Sequence, residues 1–176
     1  ARLAQADFVT VDTEFMRGNT YYPELCLVQV ADENEAAAID PLAQGLDLTP
    51  LLELLTNNED VLKVFHAGGQ DVEIIFNFTG RTPHPIFDTQ IAMMAISQSE
   101  QIGYSNLVES WLGIDVDKGA RFTDWSRRPL TERQIELAWR LVGVPVLCFD
   151  GDAAGQRAAM RAITRALPLL RPAHSL

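Results

Sequence analysis

Three apolar, strand-like runs follow one another in the first forty residues with connections too short for a crossover, and that spacing constrains the fold more than any other feature. They are Phe8–Met16 (FVTVDTEFM), Glu24–Ala31 (ELCLVQVA) and 36–39 (AAAI). The turn-rich Arg17-Gly-Asn-Thr-Tyr-Tyr-Pro23 separates the first two, and residues 32–35 separate the second from the third. Parallel neighbours need a connection of roughly a dozen residues or more, so these runs predict an antiparallel meander. After Asp40-Pro41 the period changes. Leu51, Leu52, Leu54 and Leu55 form a helical stripe that Asn57-Asn58 halts, and Val61–Phe65 reads as a fourth strand. Gly68 and Gly69 permit a tight turn into a helix whose apolar face is Val72, Ile75 and Phe76. Pro85–Asp88 is a fifth strand, and Asp88 caps a helix with Ile91, Met94 and Ala95 inward, its methionines filling the core. Tyr104–Leu112 is a further amphipathic helix, stopped at Gly113. Strands followed by alternating helices and strands predict an α/β fold, a mixed sheet flanked by helices.

The length, 176 residues, suffices for one main domain with a sizeable core and an appendage. A composition of 47% hydrophobic and 22% charged residues fits a soluble globular chain rather than a disordered one. No apolar run is long enough to span a membrane, and Ala1–Asp7 lacks the apolar segment of a signal peptide. Cys26 and Cys148 both lie in apolar runs, which predicts buried free thiols and a reducing, cytoplasmic setting. The net charge of −10 argues against a polyanionic partner only if it is evenly spread. Residues 1–117 hold four basic and nineteen acidic side chains, whereas 118–176 hold ten basic and five acidic. Such asymmetry signals either a polyanion-facing surface or a composite origin.

The first strand carries Asp12 and Glu14, which alternation puts on one face with Thr13 on the other. Two carboxylates so placed are relieved by a proton, by water or by a cation between them, and hard oxygen ligands suit magnesium or manganese. An acidic strand end facing water accounts for the same two residues. Asp71, in the first turn of a helix, is either a partner for the helix macrodipole or a third carboxylate brought to the sheet end. His66 fits either a satisfied strand-end histidine or a site residue. Lys118–Arg128 is an irregular basic loop in which Arg121, Arg127 and Arg128 can pair phosphates while Phe122 and Trp125 stack bases. Its aromatics can equally anchor the loop to the core. Thr13, His66 and Gln70 join Arg121, Trp125, Arg127 and Arg128 as candidate nucleic-acid contacts.

The runs FVTVDTEFMR, KVFHAGGQDVEIIF, FDTQIA, GYSNLVE and RFTDWSRRPLTERQIE, in this order, closely resemble the bacterial ribonuclease D family. These are 3′-5′ exoribonucleases of the DEDD superfamily with a ribonuclease-H-like fold. The resemblance covers residues 1–136 and implies catalytic metal ligands at Asp12, Glu14 and Asp71, two divalent ions (Mg2+ or Mn2+), and single-stranded RNA or tRNA 3′ ends as substrate. It also implies a third motif, Tyr-x-x-x-Asp, whose positions here hold Leu137 and Leu141, so impaired activity is expected. From Trp139 on, WRLVGVPVLCFDGDAAG and the Arg-rich stretch after it resemble the Toprim domain of bacterial DNA primase. The chain therefore reads as a 1–136 exonuclease domain joined near Glu136 to a 137–176 strand–helix appendage of Toprim type. Asp150 and Asp152 are that appendage's candidate metal acids and the candidate substitutes for the missing aspartate. A weakly active nucleic-acid-binding chimera and a primase-derived fragment are the alternatives.

Overall fold

The computed structural model describes residues 2–18, 20–97, 101–113, 123–135 and 138. The meander forms as expected. Strand β1 (Phe8–Met16) pairs antiparallel with β2 (Glu24–Ala31), and β2 pairs antiparallel with β3 (Ala36–Ile39). After helix α1 (Thr49–Thr56), strand β4 (Leu62–Phe65) lies parallel to β1 on its other edge. Helix α2 (Gly69–Thr79) leads to β5 (Ile86–Asp88), parallel to β4. Helices α3 (Thr89–Ser97) and α4 (Tyr104–Leu112) follow. The sheet order is β3-β2-β1-β4-β5, with β1 at the centre. The reversal of strand order beside β1 is where open α/β sheets form a crevice at their strand ends.

Alternation along the strands divides the core in two. One face carries Val9, Val11, Val28 and Val30 against Leu51, Leu54 and Leu55 of α1 and Ile74 and Ile75 of α2. The other carries Val64 and Phe87 with Ala92 of α3, and nearer β2 a cluster of Cys26, Leu27, Trp125 and Ala138. Lys63 of β4 is fully buried, and its Nζ donates to the carbonyls of Asn58 and His84, the latter at 2.7 Å. Those bonds satisfy a charge that the core would otherwise reject. Cys26 is a buried free thiol, whereas Cys148 lies outside the described residues. Among the described residues no helix is long and apolar enough to cross a membrane.

Two helices turn a different stripe inward from the one expected. In α2, Ile74 and Ile75 are buried while Phe76 is 49% exposed. Asp71 is held against β1, so the inward stripe runs 71, 74, 75 at helical spacing, and Phe76 falls to its side. In α3, Ala92 and Met93 are buried, whereas Ile91 and Met94 are 59% and 44% exposed and Ala95 is also exposed. Thr89 donates to the Phe65 carbonyl at 3.1 Å, which pins residue 89 to the sheet and carries 92 and 93 with it. Of the two methionines only Met93 fills core. The Toprim-like strand and helix expected over 137–176, with Asp150 and Asp152, lie outside the described residues apart from Ala138.

Candidate active site

The C-terminal half of β1 carries two of the acids on one face and reaches the third from the other. Asp12 and Glu14 project from one face. Thr13 projects from the other, and its hydroxyl donates to Oδ1 of Asp71 in the first turn of α2. That turn is built by three local devices. Gly68 is needed because a Cβ there would lie 2.6 Å from Cβ of Phe65. Ala67 takes a positive φ of 56°, an unusual conformation for a residue with a side chain. Asp88, at the end of β5, accepts the backbone N–H groups of Ala67 (3.1 Å) and Gly68 (2.8 Å) and also caps α3 through Gln90 N–H at 2.8 Å. The capping role expected for Asp88 is therefore present, and the same carboxylate ties the start of α2 to the sheet. Asp71 is thus delivered to β1 by a clamped turn.

None of the three acids behaves as a solvated strand-end carboxylate. Burial, then the negative charge of Asp71, pushes Asp12 up to about 7. Burial, then the charges of Asp12 and Asp71, pushes Glu14 up to about 8. Asp71 is raised as well, chiefly by burial, with the Thr13 hydroxyl pulling the other way. The charges acting on Asp12 and Glu14 are carboxylates, so each either holds a proton or needs a cation. A hard divalent ion suits this donor set in kind. As the side chains stand, no three His, Cys, Asp or Glu residues among those described are already disposed to hold an ion, and Asp71 Oδ1 is engaged by Thr13.

The remaining candidates separate sharply. His66 is held between Thr89 Oγ1 (2.9 Å) and the Ile102 carbonyl (3.1 Å), with the Tyr104 ring edge-on at 5.4 Å. Both ring nitrogens are thereby used within the fold, and burial lowers its pKa. Thr13 is engaged by Asp71, and Gln70 is exposed on the first turn of α2 beside that acid. Trp125 is 3% exposed, packed with Cys26, Leu27 and Ala138, so it anchors its loop rather than offering a stacking surface. Arg128 makes two bonds to Asp40, at 2.6 and 2.8 Å, and others to the carbonyls of Cys26, Trp125 and Arg127. Its guanidinium is consumed by the fold and cannot also pair phosphates. Arg127 is exposed, and Arg121 and Phe122 lie outside the described residues.

Arg128→Ala is accordingly expected to destabilise the protein by about 2 kcal/mol, since charge-assisted bonds to Asp40 are lost. RNA affinity at fixed salt should stay within about twofold, whereas Arg127→Ala should weaken binding and lower its salt slope by about one. Parallel melting curves and salt titrations check both. Normal melting with weakened binding in Arg128→Ala would return that side chain to the nucleic-acid surface.

Two features escaped the sequence reading, one in the site and one in the adjoining hairpin. Gln29 of β2 pairs in register with Asp12 and is 2% exposed, yet neither Oε1 nor Nε2 has a hydrogen-bond partner. The available signal was a lone amide in the apolar run LCLVQVA. Tyr21 and Tyr22, in the hairpin between β1 and β2, are 89% and 58% exposed and stand edge to face at 5.0 Å. Leu137, Leu141, Asp150 and Asp152 lie outside the described residues.

The chain matches the 3′-5′ exonuclease family over residues 1–140. It is 71% identical over 138 residues to ribonuclease D of Sphingobium indicum, an overlap of 78% of this chain and 36% of that protein. It thus spans about a third of the length of such curated relatives. Among solved structures it is similar to Escherichia coli RNase D, an exoribonuclease involved in structured RNA processing. The TM-score is 0.72 at 34% identity, covering 94% of this chain and 46% of that one. Against Brucella melitensis NrnC with bound Mg2+ the TM-score is 0.66 at 26% identity, covering 98% and 90%. The mixed sheet with flanking helices is therefore the fold of this exonuclease group, while the Toprim resemblance of 137–176 finds no support in these similarities.

Proposed function

The chain belongs to the 3′-5′ exonuclease family, and on that premise we propose that it removes nucleotides from RNA 3′ ends by metal-dependent phosphodiester hydrolysis, in the manner of ribonuclease D. The observation that carries this reading is the pair of partly buried carboxylates Asp12 and Glu14 on β1 beside the buried Asp71 of α2, whose charge raises both. These three would hold two divalent ions, Mg2+ or Mn2+. When bound, such ions lower the pKa of an attacking water and neutralise charge on the leaving 3′ oxygen. Asp12 and Glu14 supply oxygens from one face of β1. Thr13 fixes one oxygen of Asp71, so this acid is aimed by a neighbour rather than by solvent. Single-stranded RNA, including tRNA 3′ ends, is the substrate that the relatives suggest, and the exposed Arg127 is one cation available to its phosphates. The buried thiol of Cys26 supports a reducing, cytoplasmic setting.

Leu137 and Leu141 stand where the ribonuclease D pattern has Tyr and Asp, and neither side chain can ligate a metal or polarise water. The proposed activity is therefore weak, and the proposed domain boundary lies near Glu136, with a primase-like fragment beyond it. A 5′-labelled single-stranded RNA incubated with Mn2+ should shorten one nucleotide at a time from its 3′ end, and an RNA circle should remain intact. Cleavage of the circle would replace this reading with an endonuclease. A second reading, a nucleic-acid-binding chimera without turnover, would be favoured by RNA retention with no shortening.

A further inference from the structure

We propose that Gln29 is the positioning residue of this site, its carboxamide holding the Asp12 carboxylate in the orientation that takes up a divalent cation. The inference rests on the metal-dependent reading above. In the β1–β2 ladder Asp12 stands directly opposite Gln29, and the register is unbroken there, its shift falling later, between Glu14 and Phe15. Directly opposed residues of an antiparallel pair project from the same face with Cβ atoms about 4.5–5.5 Å apart, well within the reach of a glutamine. On its other side Gln29 pairs with Ala38 of β3, which offers no polar group. The same face beyond it is apolar, formed by Cys26, Leu27, Trp125 and Ala138. Thr10, two residues along β1, has its hydroxyl directed to the Ala31 carbonyl at 3.3 Å. The register thus sets the Asp12 carboxylate as the polar group directly opposite the amide.

The burial of the amide points the same way. Gln29 is 2% exposed and both its polar atoms lack partners, a costly arrangement that methionine, of similar shape, would avoid. Packing alone therefore does not account for a glutamine here. An Asp12 that binds a cation must be ionised, and an ionised carboxylate is a strong acceptor that the Gln29 Nε2–H group can hold. Hydrogen bonds of this kind to ligating carboxylates fix their orientation, and their loss typically weakens metal affinity by roughly 10–100-fold.

The test compares Mn2+ binding to the whole 176-residue chain and to its Gln29→Met variant by calorimetry, beside melting of both in EDTA. The expected result is binding about 10–100-fold weaker in the variant with an equal or higher metal-free melting temperature. In the unsubstituted protein, Mg2+ should slow hydrogen exchange of the Gln29 side-chain amide. Equal Mn2+ affinity in both proteins overturns the positioning role and leaves the nuclease reading intact. No Mn2+ binding by the unsubstituted protein overturns the metal-site reading and this role with it. Should the variant fail to fold, the amide exchange decides: rates unchanged by Mg2+ overturn the proposal.

Discussion

Asp12→Ala is expected to reduce 3′-5′ hydrolysis by roughly a thousandfold or more, equivalent to about 4 kcal/mol of lost transition-state stabilisation. Asp12 is the acid at the centre of the cluster, coupled to both Glu14 and Asp71, so its removal leaves the other two unable to hold paired ions. Equal turnover in the variant would assign the activity to a contaminant or to another site. Asp12→Asn tests the same cluster without metal. The folded-state pKa of Asp12 is raised to about 7 by burial and by Asp71. A raised carboxyl pKa means that its contribution to stability is fully present below the unfolded value and is lost as pH climbs through the folded one. The metal-free parent should therefore lose stability between about pH 4 and pH 8, the window bounded by the ordinary carboxyl value and by Glu14 at about 8. Below about pH 4 the Asn variant should match the parent in urea melts. At pH 9, in EDTA, it should be more stable by on the order of 2 kcal/mol. No advantage at pH 9 would mean that the Asp12 charge is not strained in the fold.

The second large effect is a gain. Leu137→Tyr with Leu141→Asp is expected to raise exonuclease turnover by orders of magnitude over a weakly active parent, because it supplies the water-orienting hydroxyl and the fourth carboxylate of the ribonuclease D pattern. Residues 132–135, just before these positions, are helical. Thr131 Oγ1 accepts the Gln134 N–H at 3.2 Å while Gln134 Oε1 accepts the Thr131 N–H at 2.8 Å, a reciprocal capping box. Gln134 and Ala138, one turn apart, are each 3% exposed, and Ala138 packs on Cys26 and Leu27 on the Asp12 face of the sheet. Leu137 and Leu141 are likewise spaced one turn apart in sequence, outside the described residues. Turnover by the parent equal to that of the double variant would mean that another acid fills the fourth position. Asp150 and Asp152 are then the residues to replace.

What the sequence determines here is local. The meander of β1 to β3, the helix and strand alternation after it, the shared face of Asp12 and Glu14 and the Asp88 cap all follow from period and from turn chemistry within a few residues. Tertiary structure decided whatever depends on a distant partner. Helix α2 has apolar residues at 72, 74, 75, 76 and 78, enough to offer several inward faces, and the bond from Thr13 to Asp71, 58 residues apart, selects the one with Ile74. In α3 the Thr89 bond to Phe65 makes the equivalent choice of Ala92 and Met93 over Ile91 and Met94. The basic loop looked like a phosphate surface because composition records charge but not its partner. Asp40, 88 residues before Arg128, is what ties up that guanidinium within the fold. Gln29 became legible only through the ladder register that sets it opposite Asp12. Period and propensity act between neighbours in sequence, whereas pairing, burial and charge compensation are settled between residues that meet only when the sheet closes.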